Sequence, residues 1–255
     1  MRALALALLV GASLGLAAID RTLAAPDRTQ AYAHAGPPDD PGAWIRVRAA
    51  LLGPPRVAIQ VGHLDAHEQP DELAALRAST GAQLGDLREV DVNQAIADAL
   101  AERLRDAGVQ VEILPARVPA RYRADVLLSV HADASPDPQR SGYKSAHALP
   151  ARNGREPLLK AAVDAAYLSA SDLPDDDANV TGAMLDYYAF AARRVRHAAH
   201  PATAALIVEV GYLSHRGDRA WLQDPSRPAA ALADGVIRSL AGVDRWHPAL
   251  ARGGR

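Results

Sequence analysis

Three apolar runs in this chain end in a residue that can do chemistry. VAIQVGH leads through Val57–Val61 and Gly62 to His63, VLLSVH ends at His131, and ALIVE ends at Glu209. A fourth candidate, Glu89, stands at the head of a long helical pattern in REVDVNQAIADAL. Two imidazoles and one carboxylate can hold a divalent metal with a position left open for water, and a further carboxylate can move that water's protons. The chain has no cysteine, so any such metal rests on His, Asp or Glu alone. Each residue also has an ordinary use. A strand-end histidine usually hydrogen-bonds within a loop, and Glu89 could simply favour the positive end of its helix. Glu209 resists that reading, because a carboxylate continuing an apolar run is costly to bury unless it is paired, neutralised or metal-bound. His67 rivals His63, but it lies beside Glu68 among acids and prolines and reads as solvated. Position 66 is Ala, which rules out an H-x-x-E pair.

The elements that must position these residues follow from the pattern. VAIQV, bounded by Pro55 and Gly62, reads as a strand buried on both faces. Residues 64–88 are polar and irregular, with a short helix at 71–78. Val92, Ile96, Ala99, Leu100, Leu104 and Ala107 recur at helical spacing within 89–108, and Gly108 supplies the stop. VQVEIL (109–114), Val126–Val130 and 205–210 read as strands. Residues 156–170, 182–197 and 231–243 read as helices. This alternation predicts an α/β fold: a mostly parallel twisted sheet with helices on both faces. Ligand sites in such sheets gather beyond the carboxyl ends of the strands, where three of the four candidates lie.

Composition narrows the function. With 28 Lys+Arg against 30 Asp+Glu and a net charge of -2, the chain lacks the basic excess of a nucleic-acid binder. Arg2 followed by the uncharged run 3–19 and then by small residues looks like an export signal over residues 1–25, cleaved or kept as a membrane anchor. The proline-bearing stretch 26–53 reads as a linker with a short helix near Trp44–Leu52. Residues 54–243 form the domain, and 244–255 a loose tail. The expected product is an exported protein of the bacterial cell envelope, periplasmic or extracellular.

The motifs together resemble the zinc-dependent N-acetylmuramoyl-L-alanine amidases of bacterial cell-wall metabolism (amidase type 3). The matching stretches are Gly62-His63, Glu89 before the first long helix, Ser129-Val130-His131-Ala132-Asp133, and Glu209-Val210-Gly211-Tyr212-Leu213, in the family's order over roughly residues 56–243. The resemblance implies a phosphorylase/hydrolase-like fold, Zn2+ held by His63, Glu89 and His131, and Glu209 as the catalytic carboxylate. It also implies a peptidoglycan substrate, with stem peptide and glycan as partners, cut between N-acetylmuramic acid and L-alanine. A monomer is expected. Two features depart from the family pattern. Leu64-Asp65 replaces the glycines that usually follow the histidine, so the backbone beside the metal must take another path, and the separation of His63 from Glu89 is long.

Two further stretches carry candidate substrate residues. GAMLDYYAFAARRVRHAAHP (182–201) reads chiefly as an amphipathic helix with a solvated basic face, from which Tyr188 and Arg194 could reach acidic stem-peptide groups. SGYKSAH (141–147) follows the His131 strand and places Lys144 towards the cleft. The competing readings are an envelope protein that binds cell-wall peptide without cutting it, and a related zinc peptidase.

Overall fold

The computed structural model describes residues 40–242, so the export signal, the first half of the linker (26–39) and the tail lie outside the described residues. Five apolar segments pair into one sheet in the order β4-β1-β5-β7-β6. These strands are β1 (Arg56–Val61), β4 (Gln110–Leu114), β5 (Val126–Asp133), β6 (Lys144–Ala146) and β7 (Ala204–Tyr212). All neighbours run parallel except β6, which lies antiparallel along β7. A separate two-stranded ribbon, β2 (Gln83–Leu84) with β3 (Leu87–Arg88), interrupts the stretch read as irregular.

The helices are α1 (Pro41–Leu52), α2 (Glu89–Asp106), α3 (Glu156–Ala170), α4 (Gly182–Leu185), α5 (Arg216–Leu222) and α6 (Ser226–Ala241). Because side chains alternate along a strand, Val57, Ile59, Leu128, Val130, Leu206 and Val208 share one sheet face. They pack with Ile96 and Leu100 of α2, Leu159 and Val163 of α3, and Leu232 and Val236 of α6. Ile45 of α1 is fully buried in the same core. Gly235 is needed where α6 crosses α3, since a Cβ there would come within 2.5 Å of the Val163 backbone. The opposite face carries Ala58, Leu127, Ala205 and Ile207 and is covered by Val118, Tyr122, Met184 and Phe190.

That second face corrects one expectation. Residues 182–197 do not form a helix. Only α4 and a 3-10 turn at Tyr188–Phe190 are helical. The backbone groups that a helix would use are engaged elsewhere. The Arg196 and His197 amides donate to Glu72, the Arg196 and Ala198 carbonyls accept from Arg121 and Tyr122, and the Ala199 amide bonds to Ala189. Tertiary partners outweigh the helical spacing. The final helix also starts earlier than its periodicity suggested, at Ser226.

Candidate metal centre and cleft

Glu89 is the first residue of α2, so its carboxylate meets the helix's positive end. Its Oε2 accepts the Ala82 amide at 2.8 Å. Its Oε1 accepts the Ala132 amide at 3.3 Å and the Asn93 side chain at 3.2 Å, and Asn93 also donates to the Gly62 carbonyl. Both imidazoles converge on that same Oε1, His63 through Nε2 at 3.2 Å and His131 through Nδ1 at 3.2 Å. One donor atom from each of the three residues lies within 4.8 Å of the others, a spacing that suits a single metal ion.

The backbone is shaped for this convergence. A Cβ at Gly62 would sit 2.5 Å from the His131 ring, and one at Gly81 would sit 2.9 Å from both Glu89 Oε2 and the His63 ring. His63 takes a positive φ of 66° and Asp65 one of 52°. The path that the missing glycines would have eased is therefore made by residues at some conformational cost, and Asp is among the types that tolerate it best. The 64–82 segment then folds back, and the Ser79 carbonyl accepts from His63 Nδ1 at 2.8 Å. A carbonyl can only accept, so Nδ1 carries a proton, and Nε2 is the nitrogen turned to Glu89: it donates there when the ring is charged and offers a lone pair to a metal when the ring is neutral.

Ionisation follows burial and charge. For Glu89, burial opposes the charged form, but hydrogen bonds and charge from His131 and His63 outweigh it and hold the carboxyl far below its usual range. Burial also works against charge on His63, yet its bond to Glu89 raises its pKa. His131 is more deeply buried, and there desolvation wins and lowers the pKa.

Glu209 lies beside the triad on the same sheet face, opposite His131 on β5 and opposite Lys144 on β6. Its Oε2 is sealed from solvent without a hydrogen-bond partner. Burial, and then the charges of Glu89 and Asp133, push its carboxyl well above the ordinary value, with Lys144 opposing. Two cavities flank the triad. One of about 440 Å3 is polar and lined by His63, Glu89, His131, Asp133 and Glu209. The other, of about 540 Å3, runs along Ala66, Gln69, Leu76, Tyr187 and Tyr188.

The remaining candidates are placed differently. Lys144 is no cleft-facing residue. It is buried, its amine held by Asp133 at 2.5 Å and by the Tyr212 hydroxyl at 2.8 Å. A buried ammonium needs such partners, and they occupy it. Tyr188 lines the larger cavity while its hydroxyl bonds to Gln60 and the Ala116 carbonyl. Arg194 is exposed and pairs through both terminal nitrogens with Asp186 on the cavity wall. His67 is exposed and stays outside the triad. Sequence reasoning missed Asn93 and the Ser79 carbonyl. Asn93 did leave a signal, one helical turn after Glu89.

The mostly parallel sheet and the helix that opens at Glu89 thus bring together a His-Glu-His cluster that could hold a metal ion, beside an unpaired carboxylate. The family model for N-acetylmuramoyl-L-alanine amidases matches residues 57–240, and the chain belongs to that family of peptidoglycan-acting enzymes. The fold is similar to the CwlD amidase from Clostridioides difficile, solved in complex with the GerS lipoprotein, at TM-score 0.54 and 15% identity over 74% of this chain and 99% of that one. It is also similar to the catalytic domain of CwlV from Bacillus(Paenibacillus) polymyxa var. colistinus, at 0.50 and 19% over 73% and 98%. AmiC2 of Nostoc punctiforme gives 0.50 and 20% over 72% and 96%. No curated protein matches. Among the described residues, no helix is long and apolar enough to cross a membrane.

Proposed function

We propose that this enzyme is a zinc amidase that cuts the bond between the lactyl group of N-acetylmuramic acid and L-alanine of the stem peptide. The observation that carries the reading is the meeting of His63 Nε2, Glu89 Oε1 and His131 Nδ1 in a cavity that the unpartnered Glu209 also lines. His63, Glu89 and His131 would hold the zinc, which would supply a water of pKa lowered towards about 7, polarisation of the amide carbonyl and a charge that favours ionised Glu209. Ionised Glu209 takes a proton from the attacking water and returns it to the leaving alanine amine. Its lack of a hydrogen-bond partner leaves the carboxylate free for that traffic. Lys144 holds positive charge behind it without competing for the substrate, since Asp133 and Tyr212 occupy the amine.

The larger cavity, walled by Tyr188 with Arg194 at its rim, receives one side of the scissile bond. The protein acts in the cell envelope, exported by its N-terminal segment and either released or anchored there, and works as a monomer.

Digestion of purified peptidoglycan tests this reading. Wild type with one zinc per chain releases peptides with a free L-alanine amino end. Glu209→Gln keeps the zinc and loses about 10²–10⁴-fold in rate. Zinc-free wild type, or wild type that binds peptidoglycan and releases nothing, would overturn the catalytic reading.

A further inference from the structure

We infer that Gln60 and Tyr187 are positioning residues that hold His131 in the one tautomer able to bind metal through Nδ1, with the direction set by the Ala116 backbone carbonyl. The inference rests on the metal-binding reading above and goes beyond it. Gln60 is fully buried in β1, on the sheet face that carries His131 and Glu209. Its Nε2 lies 2.8 Å from the Ala116 carbonyl. A carbonyl only accepts, so this end of the amide must be the NH2 group, and Oε1 must be the end turned to Tyr187. Oε1 in turn only accepts, so the Tyr187 hydroxyl donates to it, at 3.0 Å.

The Tyr187 oxygen then offers a lone pair to His131 Nε2 at 3.2 Å, and the ring's proton sits on Nε2. In the neutral, metal-binding ring that leaves Nδ1 bare on the side of Glu89, whereas the bond from Nδ1 to Glu89 belongs to the charged, metal-free ring. Each link permits one direction only, so a single backbone carbonyl specifies the proton on an imidazole three groups away. Ala116 is itself fixed, its amide donating to the Leu64 carbonyl at 2.7 Å, one residue after His63. The loop around His63 thus steadies the shell of His131 as well as its own.

Outer-shell partners of metal-bound histidines typically contribute about 10–100-fold in metal affinity. The test measures zinc affinity of the purified protein by competition with a chromogenic chelator, alongside the visible absorption of the Co2+-loaded protein. Tyr187→Phe keeps the ring and removes the hydroxyl. It is expected to weaken zinc by about 10–100-fold and to change the Co2+ bands, with a cooperative melt and the circular dichroism spectrum kept. Gln60→Leu shifts both readouts in the same direction. Tyr122→Phe, which removes a hydroxyl bonded to Glu112 and to no member of this hydrogen-bond chain, retains wild-type zinc affinity. Tyr187→Phe with wild-type affinity and an unchanged Co2+ spectrum would overturn the positioning role while leaving the metal site standing. Wild type that takes up neither metal would overturn both.

Discussion

His63 and His131 present nitrogens to the same carboxylate oxygen at the same distance, yet they are held by opposite means. His63 stands on a left-handed backbone residue at the start of a long loop, with its side chain 17% exposed. A carbonyl from that loop fixes its ring. His131 stands within a central strand, 8% exposed, between Tyr187 on one side and Glu89 on the other. The difference shows in their ionisation, raised at His63 and lowered at His131. One half of the centre is thus built by a loop against solvent and the other by the core.

Removing what the two halves share should have the largest effect. Glu89→Gln keeps the shape but takes the negative charge from both imidazoles. Zinc affinity should fall by more than the roughly 10–100-fold of an outer-shell change, and amidase activity with it. Chelator competition and a peptidoglycan digest measure this. Retained zinc in Glu89→Gln would show that the two histidines bind without their common partner.

The halves separate in the metal-free protein. His131→Ala opens a buried gap and strands the Tyr187 hydroxyl, a cost of about 2 kcal/mol, or about 4–8 °C in melting temperature for a domain of this size. His63→Ala should cost about 1 kcal/mol or less, since its ring borders solvent. The pH dependence sharpens the contrast. A raised pKa gives His63 a stabilising contribution that is present below about 6.5 and lost as pH rises through the folded value. A lowered pKa gives His131 a contribution that is present above about 6.5 and lost as pH falls. The deficit of His63→Ala should therefore grow as pH falls from 8 to 5, and that of His131→Ala should shrink. Parallel melting curves across that range would erase the distinction.

The core half was the more legible one in the sequence. The apolar runs that lead to His131 and Glu209 mark both element and position, although the strands themselves continue to Asp133 and Tyr212, and Glu89 is marked by the helix it opens. The loop half left less. Ser79 acts through its backbone carbonyl, and an acceptor that every residue possesses has no sequence signature. Gln60 left no mark of its role, because its partners Ala116 and Tyr187 are distant in sequence. The same reason explains Lys144. In SGYKSAH it reads as a lysine facing the cleft, and only the sheet brings Asp133 and Tyr212 to it. The misread helix at 182–197 has sound helical spacing. What overrides it is a set of amides and carbonyls claimed by segments around residues 72 and 121, which no local window contains.

The smallest effect tests how the loop half is tied down. Glu72, in the 3-10 turn Asp71–Leu76, accepts the Arg196 and His197 amides and His197 Nδ1 across the cleft. Those bonds, the Arg196 amide foremost, lower its carboxyl to about 2. A depressed pKa means that the tie is fully present above about 4.5, is lost as pH falls towards 2, and leaves neutral conditions untouched. Glu72→Gln should raise hydrogen exchange at the Arg196 and His197 amides at pH 7, as acid does for wild type, while the amides of β5 and β7 keep their protection. Were exchange to rise at His131 and Glu209 as well, the loop and core halves would be one cooperative unit, and the difference between the two histidines would lie in their exposure alone.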